Sequence, residues 1–335
     1  MGKKRIHDSK VFEYISYYGS MPLVFLLRLL PHRLILGMAG LLGILSYYVF
    51  PFRKKVVLDN LKQAFGTDKT PAEIRRITRA CYYNFSVMFA EFIRMPVISP
   101  IQLQSLVTEV EGWQYYEELA KEKGGYLVIT AHLGNWELLA SYFSSLGIPF
   151  SVIARPMHNS MWDAEINRTR VKNGLSVLST REPVKHILSH IRQGRPVVFL
   201  VDQDARRNGI FVNFFNKPAS TFAGVGVLTL RFGLPILPFF TVRTSLTHHK
   251  GIFKPPIYPQ EYVNDTRPRD EVVHDVVQRV TDLVESVVRE YPDQYFWFHR
   301  RWKTRPKKKK VCHRAPSSGN PEQGTSNQHN LTAKE

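Results

Sequence analysis

The sequence predicts an α/β protein with a mostly parallel central sheet flanked by helices, preceded by an N-terminal apolar helix that anchors it to a membrane. Three observations carry this. Between residues 107 and 243, short apolar runs alternate with stretches of helical spacing, as in strands joined by helical crossovers. Several of those runs end in polar or glycine-containing turns, where folds of this class display their sites. Leu34 to Phe50 is a 17-residue run with no formal charge, at the lower limit for a bilayer-spanning helix.

The elements follow in order. Lys3, Lys4, Arg5 and Lys10 make the start basic, and the chain turns apolar from Met21. The run from Leu34 contains Gly37, Gly40 and Gly43, which permit close helix contact, and leads through Tyr47 and Tyr48 to Pro51, Arg53, Lys54 and Lys55. Aromatic residues followed by cations suit a membrane interface; a buried helix of a soluble core fits the same length. Residues 1–55 are therefore set apart as the anchoring segment, 56–305 as the catalytic domain and 306–335 as a basic, polar, disordered tail. Val57, Leu61 and Phe65 share a helical face, and Thr70-Pro71-Ala72-Glu73 opens a second helix whose face is Ile74, Ile77, Cys81, Phe85, Met88 and Phe92. That face reads as core packing, and Glu91 and Arg94 read as solvated surface charges.

Val107 to Glu111 is a strand and Gly112 to Lys123 a helix stopped by Gly124-Gly125. The apolar run Tyr126 to Ala131 follows, then a turn and a helix through Leu138 to Phe143. Further strands are expected at Phe150 to Ala154, Leu175 to Leu178, Pro196 to Val201 and Pro235 to Arg243, with helices at Met161 to Asn173, Pro183 to Arg192 and Ala223 to Phe232. Gly209 to Phe215 is extended, Gly251 to Lys254 is a shorter strand, and a valine stripe from Val273 to Val288 marks a last long helix.

The 335 residues carry 46 Lys and Arg against 28 Asp and Glu, a net charge of +18. Such an excess points to a polyanionic partner: nucleic acid, an anionic membrane face or a phosphorylated lipid. The lysine run Lys307 to Lys310 invites the first, but no recognised nucleic-acid module accompanies it, so no nucleic-acid partner is expected. Cys81 and Cys312 fall in neither metal-type nor redox-type spacing.

His132 stands just past the end of its strand, with Glu137 five positions on. A neutral imidazole there can take a proton from an alcohol, and a carboxylate can hold its tautomer. A loop histidine beside an unrelated carboxylate gives the same spacing. There is no His-Glu-x-x-His pair, no Gly-x-Ser-x-Gly elbow and no phosphate-binding loop. Subtraction leaves base-assisted attack by a substrate hydroxyl, with no cofactor and no metal expected.

The block Ala131-His132-Leu133-Gly134-Asn135-Trp136-Glu137 resembles the His-x4-Asp/Glu motif of the glycerolipid acyltransferase superfamily, in the form used by bacterial lipid A late acyltransferases of lauroyl and myristoyl type. Four further blocks resemble that family in the same order: Asp59 to Phe65; Arg155-Pro156 with Arg170-x3-Gly174; Asp202-Gln203 with Gly209 to Phe215 and Pro218-Ala219; and Gln294 to Trp302. The resemblance covers residues 20–305. It implies transfer of an acyl chain from acyl-carrier protein to a hydroxyl of a lipid A precursor, at the cytoplasmic face of the bacterial inner membrane; related acyltransferases that share the histidine block leave a phosphatidylinositol mannoside, a lysophospholipid or another glycolipid as the alternative acceptor. In that scheme His132 is the base and Glu137 orients it. Arg170 then binds phosphate or the developing charge, Arg168 ranks behind it, and Asp202, Asn135 and Arg155 complete the substrate-binding set. Backbone N–H groups around Gly134 and Asn135 would meet the oxyanion.

Overall fold

A computed structural model of the protein describes residues 10–122 and 124–306. The basic residues Lys3, Lys4 and Arg5, the lysine run, Cys312 and, past Pro306, the tail expected to be disordered lie outside them. Four helices come first: α1 (Lys10–Leu29), α2 (His32–Val49), α3 (Lys54–Phe65) and α4 (Pro71–Arg94). The start of α4 is fixed as its sequence directs. Thr70 Oγ1 accepts from the Glu73 N–H at 3.3 Å, and Glu73 Oε2 accepts from the Thr70 N–H at 2.8 Å. This reciprocal cap is worth about 1 kcal/mol.

α2 lies along α4. Ile35, Leu36, Gly40, Gly43 and Tyr47 are buried there, whereas Leu34, Met38, Leu41, Leu42, Leu45, Tyr48 and Val49 face outward. Two of the three glycines explain the close approach. A Cβ on Gly40 would come within 2.3 Å of the Tyr83 ring, and one on Gly43 within 2.5 Å of the Tyr82 carbonyl oxygen. Gly37 has open space beside it.

The chain continues with α5 (Pro100–Leu106), β1 (Val107–Glu111), α6 (Trp113–Lys121), β2 (Leu127–Thr130), α7 (Trp136–Ser145), β3 (Ser151–Ala154), α8 (Ser160–Lys172), β4 (Ser176–Ser179), α9 (Val184–Arg192) and β5 (Val197–Leu200). After these come β6 (Ile210–Phe214), β7 (Lys217–Thr221), α10 (Gly224–Phe232), β8 (Ile236–Arg243), β9 (His249–Phe253) and α11 (Arg269–Glu290). The sheet order is β1-β9-β8-β2-β5-β3-β4. Every pairing is parallel except β8 with β9, so β1 and β9 run against the other five strands.

The expected α/β architecture is present, with local differences. α5 adds a short helix to the expected elements, and Ser99 and Gln102 form a second capping box at its start. α1 is helical despite its polar opening. The extended stretch at 209–215 is one arm of a separate hairpin, β6 with β7, turned by Phe215 and Asn216 at φ 52° and 56°.

β2 is the middle strand. Leu127 and Ile129 point to one face, packing with Phe199, Phe240 and the valine stripe of α11; Val128 points to the other, packing with Phe143, Phe239 and Phe253. The strand is buried on both faces, as expected of a central parallel strand.

Candidate active site

The parallel register of β2 and β5 sets Thr130 beside Leu200. Two residues beyond each lie His132 and Asp202, and their side chains meet. His132 Nδ1 is 2.8 Å from Asp202 Oδ1, and Asp202 Oδ2 accepts from the His132 backbone N–H at 3.1 Å. A carboxylate on Nδ1 fixes the proton there, which leaves Nε2 as the basic nitrogen. Gln203 donates its side-chain amide to that nitrogen at 3.1 Å. Burial alone would raise Asp202, but His132, through its ring and its N–H, outweighs this and holds the carboxyl below the usual carboxylate range. Trp136 and Phe296 flank the imidazole, with ring centroids 4.8 and 6.0 Å away.

The loop between β2 and α7 is held by the block that begins at Gln294. Phe296 donates its N–H to the His132 carbonyl at 2.9 Å, and Gly134 donates to the Gln294 carbonyl at 3.1 Å. Gly134 sits at φ 57°, and a Cβ there would come within 2.3 Å of the Thr241 carbonyl oxygen, so this position requires glycine.

Glu137 is not at the imidazole. In the first turn of α7 it forms a two-pronged ion pair with Arg170 of α8: Oε1 lies 2.5 Å from Nη2, and Oε2 accepts from Nε at 3.1 Å. The expectation that Glu137 turns back to orient His132 is corrected, because at the helix start its side chain projects across to α8 while β5 delivers Asp202. Arg170 also donates to Asn167 Oδ1 at 3.0 Å. Burial would lower Arg170, but Glu137 more than reverses this and raises it.

Asn135 is likewise corrected from substrate contact to support. It is fully buried, accepts from the Leu138 N–H at 3.0 Å as the cap of α7, and donates to Glu91 at 2.7 Å. The Gly134 N–H expected to meet an oxyanion is already spent on Gln294. Arg168 points away, its side chain 73% exposed and paired with Glu165 at 2.8 Å. Arg155, just beyond β3, is exposed at the cleft.

That cleft has a volume of about 420 Å³. His132, Glu137, Arg170, Arg155 and Gln203 give it one polar side; Phe85, Met88, Phe89 and Phe92 of α4 give it an apolar one. The α4 face expected to be core is so at Ile74, Ile77 and Cys81, while Phe85, Met88 and Phe92 further along it also line the cleft. Glu91, expected as a solvated surface charge, is wholly buried. Only its place among apolar helix positions signals this in the sequence.

An imidazole backed by a buried carboxylate, opening onto a cleft that is apolar on one side and lined by Arg155, Arg170, Glu137 and Asp163 on the other, is an arrangement that can serve group transfer to an amphipathic molecule. Comparison with known proteins makes it particular. The bacterial lipid A biosynthesis acyltransferase family matches residues 3–304. The chain is 26% identical over 282 residues to the lipid A biosynthesis lauroyltransferase of Escherichia coli, covering 83% of this chain and 88% of that protein. It is 23% identical over 254 residues to the lipid A biosynthesis myristoyltransferase of the same organism, covering 75% and 76%. It is also 22% identical over 184 residues to a phosphatidylinositol mannoside acyltransferase of Mycolicibacterium smegmatis, covering 53% and 60%. The chain belongs to the bacterial lipid A biosynthesis acyltransferase family, and it is an enzyme that transfers acyl groups.

Proposed function

We propose that the enzyme moves a fatty acyl chain from an acyl-carrier-protein thioester to a hydroxyl of a lipid A precursor, with His132 as general base. The observation that carries this reading is the doubly bonded Asp202 beneath His132, which leaves Nε2 basic and facing the cleft. The acceptor hydroxyl displaces the Gln203 amide from Nε2 and gives its proton to the ring as its oxygen attacks the thioester carbonyl. Asp202 stabilises the imidazolium. The tetrahedral intermediate then collapses, the C–S bond breaks, and the thiolate leaves with the proton returned from Nε2. The displaced Gln203 amide serves as an oxyanion donor. No acyl-enzyme forms, because the acceptor itself is the nucleophile.

The apolar wall of α4 receives acyl chain, and Arg155 at the rim, with the Glu137–Arg170 pair behind it, meets phosphate on the acceptor. The outward faces of α1 and α2 suit a membrane: Ile15, Leu26, Leu29, Leu41 and Leu45 are each more than half exposed. Burying one such side chain in lipid is worth about 1.5–3 kcal/mol. We place the enzyme at the cytoplasmic face of the inner membrane, where acyl-carrier protein and lipid A precursor meet. The likeness to the mannoside acyltransferase supports a second reading, in which the fold and base are kept and the acceptor is another glycolipid.

The test is acyl transfer by the purified chain from acyl-carrier-protein donor to a defined lipid A precursor, with a mannoside acceptor in parallel. Transfer to the precursor that disappears in His132→Ala is the expected result. Transfer that survives this substitution would overturn the mechanism, and transfer to the mannoside alone would overturn the acceptor.

A further inference from the structure

Behind the catalytic loop lies a buried charge cluster that the proposed chemistry does not use. Glu91 on α4 is fully buried and receives four hydrogen bonds. Oε1 accepts from Arg243 Nη1 at 2.8 Å and lies 3.0 Å from His249 Nε2. Oε2 accepts from Arg243 Nη2 and, at 2.7 Å, from Asn135 Nδ2. Both carboxylate oxygens are therefore fully engaged. Arg243, at the end of β8, is held at its backbone as well: Gln294 Oε1 accepts from the Arg243 N–H at 2.6 Å, and Gln294 Nε2 donates to the Arg243 carbonyl at 2.9 Å. The same Gln294 takes the Gly134 N–H on its carbonyl. Two arms thus run from Arg243, one through Glu91 to Asn135 and one through Gln294 to Gly134, and they end on consecutive residues of the loop that carries His132.

A cluster serving only to fasten α4 to the sheet would be poorly suited to that task. Burying an ion pair brings a desolvation penalty that well-packed apolar side chains avoid. What the charges provide instead is direction, since a saturated carboxylate accepts its donors in one arrangement. We infer that Glu91 and Arg243 are positioning residues for the acyl transfer: they fix the Gly134–Asn135 turn and so hold His132 against Asp202 with Nε2 toward the cleft. This inference rests on the reading of His132 as the base.

The full-length chain tests it through a double-mutant cycle. Asn135→Asp sets two carboxylates together, and Glu91→Gln places an amide before other donors. Combined, they restore one amide-to-carboxylate link with its direction reversed, and the carboxylate introduced by Asn135→Asp can still cap α7. Each single change is expected to lower kcat about 10- to 100-fold, the scale on which a misplacement of order 1 Å acts, with the acceptor KM nearly unchanged. The double variant should recover much of the loss. Asn135→Ser, which keeps the cap and removes the amide donor to Glu91, should lower kcat by more than its loss of folded protein explains, and this keeps the idea testable should Glu91→Gln fail to fold.

A substrate-independent readout is the rate of His132 modification by diethyl pyrocarbonate at fixed pH, followed by mass spectrometry. If the loop releases His132 from Asp202, Nε2 leaves its place at the cleft and that rate changes. A changed rate in Asn135→Ser supports the positioning role even where the wild type proves inert toward a lipid A precursor, a result that sinks the acceptor assignment alone. Additive losses in the cycle, or an unchanged rate of His132 modification in Asn135→Ser, would overturn the positioning role.

Discussion

His132 and Asp202 are 70 residues apart in sequence and 2.8 Å apart in space, because each stands two residues beyond a paired position on neighbouring parallel strands, Thr130 and Leu200. The ring is held by both its Nδ1 and its own backbone N–H, so the carboxylate controls tautomer and loop position together.

Asp202→Asn is expected to lower kcat by about 10²–10⁴-fold, because an amide no longer enforces the Nδ1–H tautomer and no longer stabilises the imidazolium. The acceptor KM should change little. Steady-state kinetics on the purified variant, with circular dichroism to confirm folding, checks this; a loss below about threefold would show that Asp202 does not orient the base.

Glu137→Ala strands the Arg170 guanidinium, and Arg170→Ala strands the Glu137 carboxylate. Removing one partner of a buried pair destabilises by about 3–5 kcal/mol, and the lower end applies because both side chains keep about a sixth of their exposure. The double variant Glu137→Ala/Arg170→Ala should be more stable than the sum of the singles implies. Denaturant unfolding measures this directly, and strict additivity would argue against the pairing seen here.

Gly134→Ala should destabilise by about 1–3 kcal/mol, since it combines a left-handed backbone with a Cβ driven into the Thr241 carbonyl. The strain falls two residues from His132, so kcat should fall further than the loss of folded protein explains. Thermal melting beside kinetics separates the two effects.

Acid should unfold the protein through its buried carboxylates. Burial alone would raise Glu91, but His249 and Arg243 outweigh it and hold the carboxyl well below the glutamate range; Asp202 is held low by His132. A depressed folded-state value means that the unfolded chain binds protons first as pH falls. The stabilisation is therefore complete above the ordinary carboxylate range of about 4 and is lost progressively below it. Denaturant midpoints should be level from pH 7 to about pH 5 and fall steeply below about pH 4. Glu91→Gln should flatten that fall.

Much of this is legible along the chain. The alternation of apolar runs with helical spacing points to the α/β class, because strands buried on both faces and crossover helices leave different periods in sequence. The Thr70-Pro71-Ala72-Glu73 cap and the placing of His132 past a strand end are also local, and both hold in the folded chain. The family blocks named Arg170, Asp202 and Arg155, and all three lie at or beside the cleft.

What the sequence could not fix was which carboxylate meets which cation. Glu137 is five residues from His132, and local spacing pairs them; the fold turns Glu137 to Arg170 and brings Asp202 from the neighbouring strand. Glu91 looks like a solvated charge near a helix end, and only the sheet, by carrying Arg243 and His249 to it from more than 150 residues away, makes its burial tolerable. Periodicity records how a segment meets its immediate surroundings. Partner choice among charges depends on strand order and register, which exist only once the chain has packed.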